Sequence, residues 1–266
     1  MKKFFLLLLV SGSLAHLASA QYYEGETAKT DRKIDINRVR LGAYIAPTVS
    51  WMKPTSAKSD NGIFKVNSGG SKIGYTWGLM VDYFFAENYG ISTGFQLNTS
   101  GGIIRASRID QDSVIKNAVY NTDFNYTLQY LEIPFQLKLR SDELKSVGGM
   151  RVFGQLGLTG GFNIGKKATY SVDYTDANGN RETIHGDHEK MIGSFTIAPF
   201  LLQLNIGAGV EKTISDKMSL YGGIFFNNAF LPDVTNPNQY DFGYKGTFTD
   251  GNIRLNNLAL RVGLFF

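Results

Sequence analysis

Residues 257–266 read Asn257-Leu258-Ala259-Leu260-Arg261-Val262-Gly263-Leu264-Phe265-Phe266, and their alternation decides the fold. In an extended strand, successive side chains point to opposite faces. Leu258, Leu260, Val262, Leu264 and Phe266 therefore share one face, and Asn257, Ala259, Arg261 and Gly263 share the other. One row is continuously apolar; the opposite row holds an amide, a cation and small residues. That pattern suits a wall with hydrocarbon on one side and a polar interior on the other.

The same period recurs along the chain. In 201–211, Leu202, Leu204, Ile206, Ala208 and Val210 alternate with Gln203, Asn205, Gly207, Gly209 and Glu211. In 130–139, Leu131, Ile133, Phe135, Leu137 and Leu139 alternate with Tyr130, Glu132, Pro134, Gln136 and Lys138. Weaker versions surround Leu41–Ile45, Trp77–Tyr83, Ile91–Leu97, Val152–Leu158 and Leu220–Phe226. This predicts eight strands, an even number, as a single-chain bacterial barrel requires. The expected fold is all-β: an eight-stranded antiparallel transmembrane up-and-down β-barrel over residues 39–266. Proline in a central strand removes a ladder hydrogen bond. Pro134 therefore predicts a local bulge or kink, with a luminal polar group or water serving the orphaned carbonyl.

A soluble sandwich or lipocalin-like barrel shows similar alternation with its apolar face inward. Three features favour the membrane reading. Connections alternate in length: 86–89, 140–149 and 215–217 are short, whereas 53–73, 98–124, 165–197 and 228–251 are long and polar. Short periplasmic turns and long extracellular loops give this rhythm. The predicted inner rows mix glycine with charged and amide residues, which a soluble core rarely tolerates unpaired. The last apolar row also runs in phase to Phe266.

The first twenty residues read as an export signal. Lys2 and Lys3 precede the apolar run Phe4–Val10, and Ala18-Ser19-Ala20 places small residues before Gln21. The run is too short for a spanning helix, which needs roughly 20 apolar residues. Residues 21–38 are polar and predict a flexible periplasmic tail. Removing 1–20 takes away two lysines and no acid, so the 27 basic and 23 acidic side chains come close to balance. A pI near 9.0 is then no argument for nucleic acid. With no cysteine in the chain, there is no disulfide framework, thiolate zinc site or cysteine for a lipid anchor. Aromatic residues Trp51, Trp77, Tyr83, Phe84, Phe85, Tyr89, Phe225 and Phe226 sit near predicted strand ends and are expected to form interfacial girdles.

The row Leu258, Leu260, Val262, Leu264 and terminal Phe266 resembles the recognition signal read by the barrel-assembly machinery. The stretch Tyr130-Leu131-Glu132-Ile133-Pro134-Phe135-Gln136-Leu137-Lys138 resembles the fourth strand of the PorT-like outer-membrane barrels common in Bacteroidetes. The likeness spans roughly residues 39–266. It implies outer-membrane localisation and an accessory role in type IX secretion.

Candidate chemistry is concentrated in the lumen. Arg40, Asp82, Glu132, Lys138, Arg151, Glu211 and Arg261 fall on or beside the predicted inner face. Eight strands leave an interior about filled by side chains, so these charges are expected to pair across it. Glu132 and Arg261 in particular are predicted to lie in a luminal ionic cluster. Such a network either gates a narrow ion path or plugs the barrel, and the small bore favours the plug. His185 and His188, amid Asp173, Asp176, Glu182, Asp187 and Glu189, raise a metal site. Their spacing fits neither a strand face nor a helical zinc pair. The flanking alternation and Asn178-Gly179 favour a hairpin with a type I′ turn. Ser171 or Ser194 with His185 and Asp187 would be needed for lipid hydrolysis, but no Gly-x-Ser-x-Gly motif occurs.

The leading reading is a non-enzymatic interaction or scaffold barrel of the cell envelope, without cofactor or metal. Its expected partners are outer-membrane lipid, the assembly machinery during biogenesis, and envelope or secretion proteins. A narrow pore for small solutes and a lipid-modifying enzyme are the alternatives.

Overall fold

The alternating stretches form strands longer than the sequence pattern suggested. The computed structural model describes residues 38–58, 62–145, 148–191, 197–215, 218–231 and 253–266. The signal segment 1–20 and most of the 21–38 tail lie outside the described residues. Within these residues the strands are β1 (Val39–Pro54), β2 (Phe64–Ala86), β3 (Tyr89–Arg108), β4 (Val119–Arg140), β5 (Met150–Thr175), β6 (Arg181–Lys190), β7 (Phe200–Ser215), β8 (Met218–Ala229) and β9 (Ile253–Phe265).

All neighbouring strands pair antiparallel. β4 pairs with β5, β5 with β7, and β9 returns to β1, so eight strands close into a barrel. Closure leaves no row of backbone groups unpaired against hydrocarbon. At the join, Gly42 pairs with Phe265, and the Phe266 N–H donates to Leu41 O at 2.8 Å. The remaining strand, β6, pairs with the far half of β5 and forms a hairpin with it. The short turn 87–88 between β2 and β3 marks one end, which in this architecture is periplasmic.

Burial follows the predicted parity. On β4, Leu131, Ile133, Phe135, Leu137 and Leu139 are exposed while Glu132, Gln136 and Lys138 are buried. Phe135 is 63% exposed and Lys138 only 1%. A water-soluble protein does the reverse, so the outer surface of this belt fits hydrocarbon. Glycines on the inner row admit rings where a Cβ could not fit: a Cβ on Gly207 would meet Phe225 Cδ1 at 2.1 Å. Phe225 was expected in a girdle with Phe84, yet both rings are buried inward. Each sits beside an outward aromatic neighbour, Phe226 or Phe85, and alternation allows only one of each pair to face out. Trp77, Tyr83, Phe85, Tyr89 and Phe226 are exposed, and Trp51 stacks on Phe226 with centroids 6.2 Å apart.

Beyond the belt, the hydrophobic phase inverts. On β4 toward the far end, Tyr130, Leu128, Tyr126 and Phe124 are buried while Gln129, Thr127 and Asn125 lie on the outer row. Apolar residues thus face out below Tyr130 and in above it, without a break in the strand. Phe64 and Val66 on β2, Ile104 and Ala106 on β3, and Ile253 and Leu255 on β9 repeat the inward apolar pattern. The strand itself continues through a change of surroundings, from lipid to water. β2 to β5 run for 23, 20, 22 and 26 residues, whereas spanning takes roughly 9–11. Much of what was expected as long loop is therefore sheet standing above the belt.

Two local expectations change. The β3–β4 register holds from Thr93↔Phe135 to Gln96↔Glu132, so Pro134 causes no bulge there; the ladder lapses only over Gly94 and Phe95. Thr93 Oγ1, on the outer row and not in the lumen, donates to Pro134 O at 2.8 Å. The bulge falls instead on β5, where Gln129↔Gly165 is followed by Tyr130↔Asn163 and Ile164 is the extra residue. The 165–197 region does contain the hairpin, but its loop is five residues, with Thr175 paired to Arg181. Gly179 has φ +93°. Asn178 is not in the positive-φ region that a type I′ turn demands of both central residues.

Candidate functional site

The interior is built in layers. At the far end, Met52, Phe64, Tyr126, Leu128, Leu201 and Leu255 belong to one continuous apolar cluster. Below it comes a layer of amides, set by register. Asn205, Asn227 and Asn257 are cross-strand partners in sequence, β7 to β8 to β9. Asn205 Nδ2 donates to Asn227 Oδ1, and Asn227 Nδ2 donates to Asn257 Oδ1 at 2.6 Å.

Glu132 lies in the wall of this layer, fully surrounded. Asn98 Nδ2 donates to Glu132 Oε1 at 2.8 Å, Gln96 Nε2 donates to Oε2, and Tyr44 OH donates to Gln96 Oε1. Arg261 reaches the same region from β9. Its guanidinium lies 4.0 Å from the Phe225 ring centroid and 4.9 Å from that of Tyr44. Both charges face the lumen, but neither belongs to an ion pair among the described residues. Amide donors serve the carboxylate and aromatic faces serve the cation.

The ionic cluster sits at the periplasmic end. Asp82 Oδ2 accepts from Lys138 Nζ at 2.6 Å and from Arg40 Nη2 at 3.0 Å. Glu211 pairs with the same two cations, its Oε2 lying 3.0 Å from Arg40 Nη2 and its Oε1 next to Lys138 Nζ. Two acids and two bases from β1, β2, β4 and β7 thus cross the bore. Lys138 also lies 4.8 Å from the centroids of Phe153 and Phe265. Register pairs Arg151 with Glu211, but Arg151 is half-buried and outside the ion pairs of the described residues. The row of Leu258, Leu260, Val262, Leu264 and Phe266, expected from the sequence to serve as an assembly signal, lies outward. Sequence reading missed the amide donors Gln96 and Asn98 and the ring seats of the cations. It also missed Arg140, two residues beyond Lys138 at the barrel mouth.

A void of about 10 Å³ beside Gln136, Lys138, Gln155 and Arg261 is enough for about one water. Outside the lumen, Ser171 and His185 are cross-strand partners, but Asp187 engages His188 instead, Oδ1 to Nδ1 at 2.5 Å. Thr169 Oγ1 approaches that same Nδ1 at 3.5 Å. A nucleophile–base–acid relay needs the two ring nitrogens to serve different partners. Ser194 lies outside the described residues. Among the described residues no three histidine, aspartate or glutamate side chains converge as metal ligands.

A closed antiparallel barrel with a greasy exterior and a polar, side-chain-filled interior defines an integral outer-membrane protein of the β-barrel class. The family model for the outer membrane protein beta-barrel domain matches residues 20–230, and the chain belongs to that family. Its place is the outer membrane. Among solved structures it is similar to Neisserial surface protein A, with 13% identity, 86% of this chain and 97% of that chain covered, and a TM-score of 0.37. It is also similar to the attachment invasion locus protein Ail of Yersinia pestis (14% identity, 85% and 98% covered, TM-score 0.33). OprG of Pseudomonas aeruginosa gives 12% identity, 87% and 98% covered, and a TM-score of 0.36. Comparison with curated proteins finds no match.

Proposed function

We propose that this barrel is a non-enzymatic interaction component of the cell envelope with a shut lumen. The observation that carries the reading is the stacking of two seals. The Arg40–Asp82–Lys138–Glu211 cluster crosses the periplasmic end, and the apolar cluster fills the far end. An ion would have to break a buried charge cluster and then enter a dry core, and each step costs several kcal/mol. The sheet raised beyond the belt gives a partner a rigid, polar outer face.

The resemblance of Tyr130–Lys138 to PorT-like barrels supports secretion proteins of the type IX apparatus as the partners. The row ending in Phe266 supports handling by the barrel-assembly machinery. Planar-bilayer recording of the purified chain is expected to show no channel steps at any voltage; steady unitary conductance would sink the closed-lumen reading and restore the pore. Crosslinked pull-down from native envelopes is expected to recover stoichiometric envelope proteins. A barrel recovered alone, with altered lipid A or phospholipid in a deletion strain, would favour the enzyme.

A further inference from the structure

Two pairs of cations face each other across neighbouring strands just above the belt. Arg254 on β9 is the register partner of Lys53 on β1, and both are exposed. Lys167 on β5 is the register partner of Lys190 on β6, and both are again exposed. Like charges set directly opposite in an antiparallel ladder weaken it. Lys72 of β2 adds a fifth cation. Its stem runs over Gly101, where a Cβ would meet Lys72 Cδ at 3.4 Å. Its Nζ donates to Thr127 Oγ1 at 2.6 Å, Asn125 Oδ1 at 2.9 Å and Tyr126 O at 3.3 Å. Thr127 is in turn the register partner of Lys167. Adjacent strands lie roughly 5 Å apart, so Lys167 and Lys190 stand about 5 and 10 Å along the row from Thr127. None of the five cations belongs to an ion pair among the described residues. Acids on the neighbouring sheet serve other groups: Asp187 meets His188 and Thr169, Glu189 accepts the Tyr170 hydroxyl, and Asp123 pairs with Arg105.

Height decides the ligand. On β4, Thr127 stands two residues beyond Gln129, the first polar position of the outer row. That is about 7 Å further along the strand. Lys53 likewise stands two residues beyond Trp51, whose ring stacks on Phe226 where aromatic side chains mark the interface. Headgroups occupy roughly 5–8 Å outside the acyl core. The five cations are therefore level with the headgroups of the outer leaflet, at the end opposite the periplasmic turn 87–88. Phosphate is an anion that lipid headgroups carry, and ammonium and guanidinium groups meet it with charge and several donors at once. We propose that this collar binds phosphate groups of outer-leaflet lipid. Lys72, Lys167 and Lys190 form one seat, and Lys53 with Arg254 forms the other. Bound phosphate offsets the repulsion within each pair and fixes the depth of the barrel in the leaflet. The like-charge bridge Lys58↔Lys65 lies higher, in water, where salt screens it. The collar stands whether or not the lumen conducts.

Native mass spectrometry of the full chain released from detergent micelles tests it, with diphosphoryl lipid A and its dephosphorylated form as probes. The diphosphoryl lipid is expected to be retained threefold or more over the dephosphorylated one. Lys167→Gln combined with Lys190→Gln should lower that retention several-fold. Adding Lys53→Gln and Arg254→Gln should bring it to the level of the dephosphorylated lipid. Lys65→Gln, seven residues from Lys72 and above the headgroups, should leave it unchanged. Heat-modifiable migration reports whether each variant folds; if the fourfold variant does not, the Lys53→Gln, Arg254→Gln pair is read alone, with a several-fold loss expected. Equal retention of the two lipids, undiminished retention in the folded variants, or an equal loss with Lys65→Gln overturns the proposal.

Discussion

Lys138 shows how a charge survives in the wall of a barrel. Its ammonium meets two carboxylates and three aromatic faces, so removing it leaves Asp82 and Glu211 sharing Arg40 alone. Lys138→Met is expected to destabilise the barrel by about 3–5 kcal/mol, the usual cost of orphaning a buried partner. Adding Asp82→Asn should recover part of that loss in urea unfolding from lipid vesicles; a purely additive double variant would contradict the cluster. The positions of Arg40, Asp82, Lys138 and Glu211 on inner rows were legible from parity. Which charges would touch was not, because strand stagger sets distance across the bore and a single sequence does not carry it. Glu132 and Arg261 illustrate the gap: both lie on inner rows, but amides bond the carboxylate and rings seat the cation where opposite charges were expected. Doublets such as Phe84-Phe85 and Phe225-Phe226 misled because being near a strand end says nothing about face.

At the scale of the element, the β5–β6 hairpin depends on one acid. Asp176 Oδ1 accepts the backbone N–H groups of Asn178 and Asn180, each at 2.8 Å, and its Oδ2 accepts Asn180 Nδ2 at 3.1 Å. Desolvation raises its pKa, but the bonds from Asn180 and Asn178 outweigh it and hold the carboxyl below the usual carboxylate range. The sign follows directly. This support is complete above the ordinary aspartate pKa and is lost as pH falls through the lowered one. Amide exchange at Asn178 and Asn180 should therefore quicken under strong acid in the wild type. In Asp176→Ala it should be fast already at neutral pH, while the barrel amides stay protected. Asn178-Gly179 was read rightly as a turn and wrongly as type I′, because the aspartate two residues earlier supplied a better anchor than the dipeptide. Pro134 was misjudged for a related reason. The register runs through it unshifted on both sides, and Thr93 of the neighbouring strand, invisible to a reading along one strand, adds a bond to its carbonyl.

Across the whole molecule, the inversion at Tyr130 marks where hydrocarbon ends. Below it, Phe135→Arg on the outer row should cost about 2–4 kcal/mol, the depth-dependent penalty for a cation facing lipid. Gln129→Arg, on the same row just beyond the inversion, should cost at most about 1 kcal/mol, as at an interface. Equal penalties in vesicle unfolding would show that the belt has been misplaced. Closure and parity were legible because lipid enforces a strict period of two. The raised sheet was not, since inverted alternation beyond the belt reads as loop when only the first phase is sought.

The join between β1 and β9 also dictates an order in time. Until residues 253–266 are delivered, the first strand and the eighth each carry a bare row of N–H and C=O groups, which no acyl chain can satisfy. A bilayer cannot host the half-built cylinder at rest. The nascent polypeptide has to be sheltered elsewhere, and its final segment is the latch that permits release.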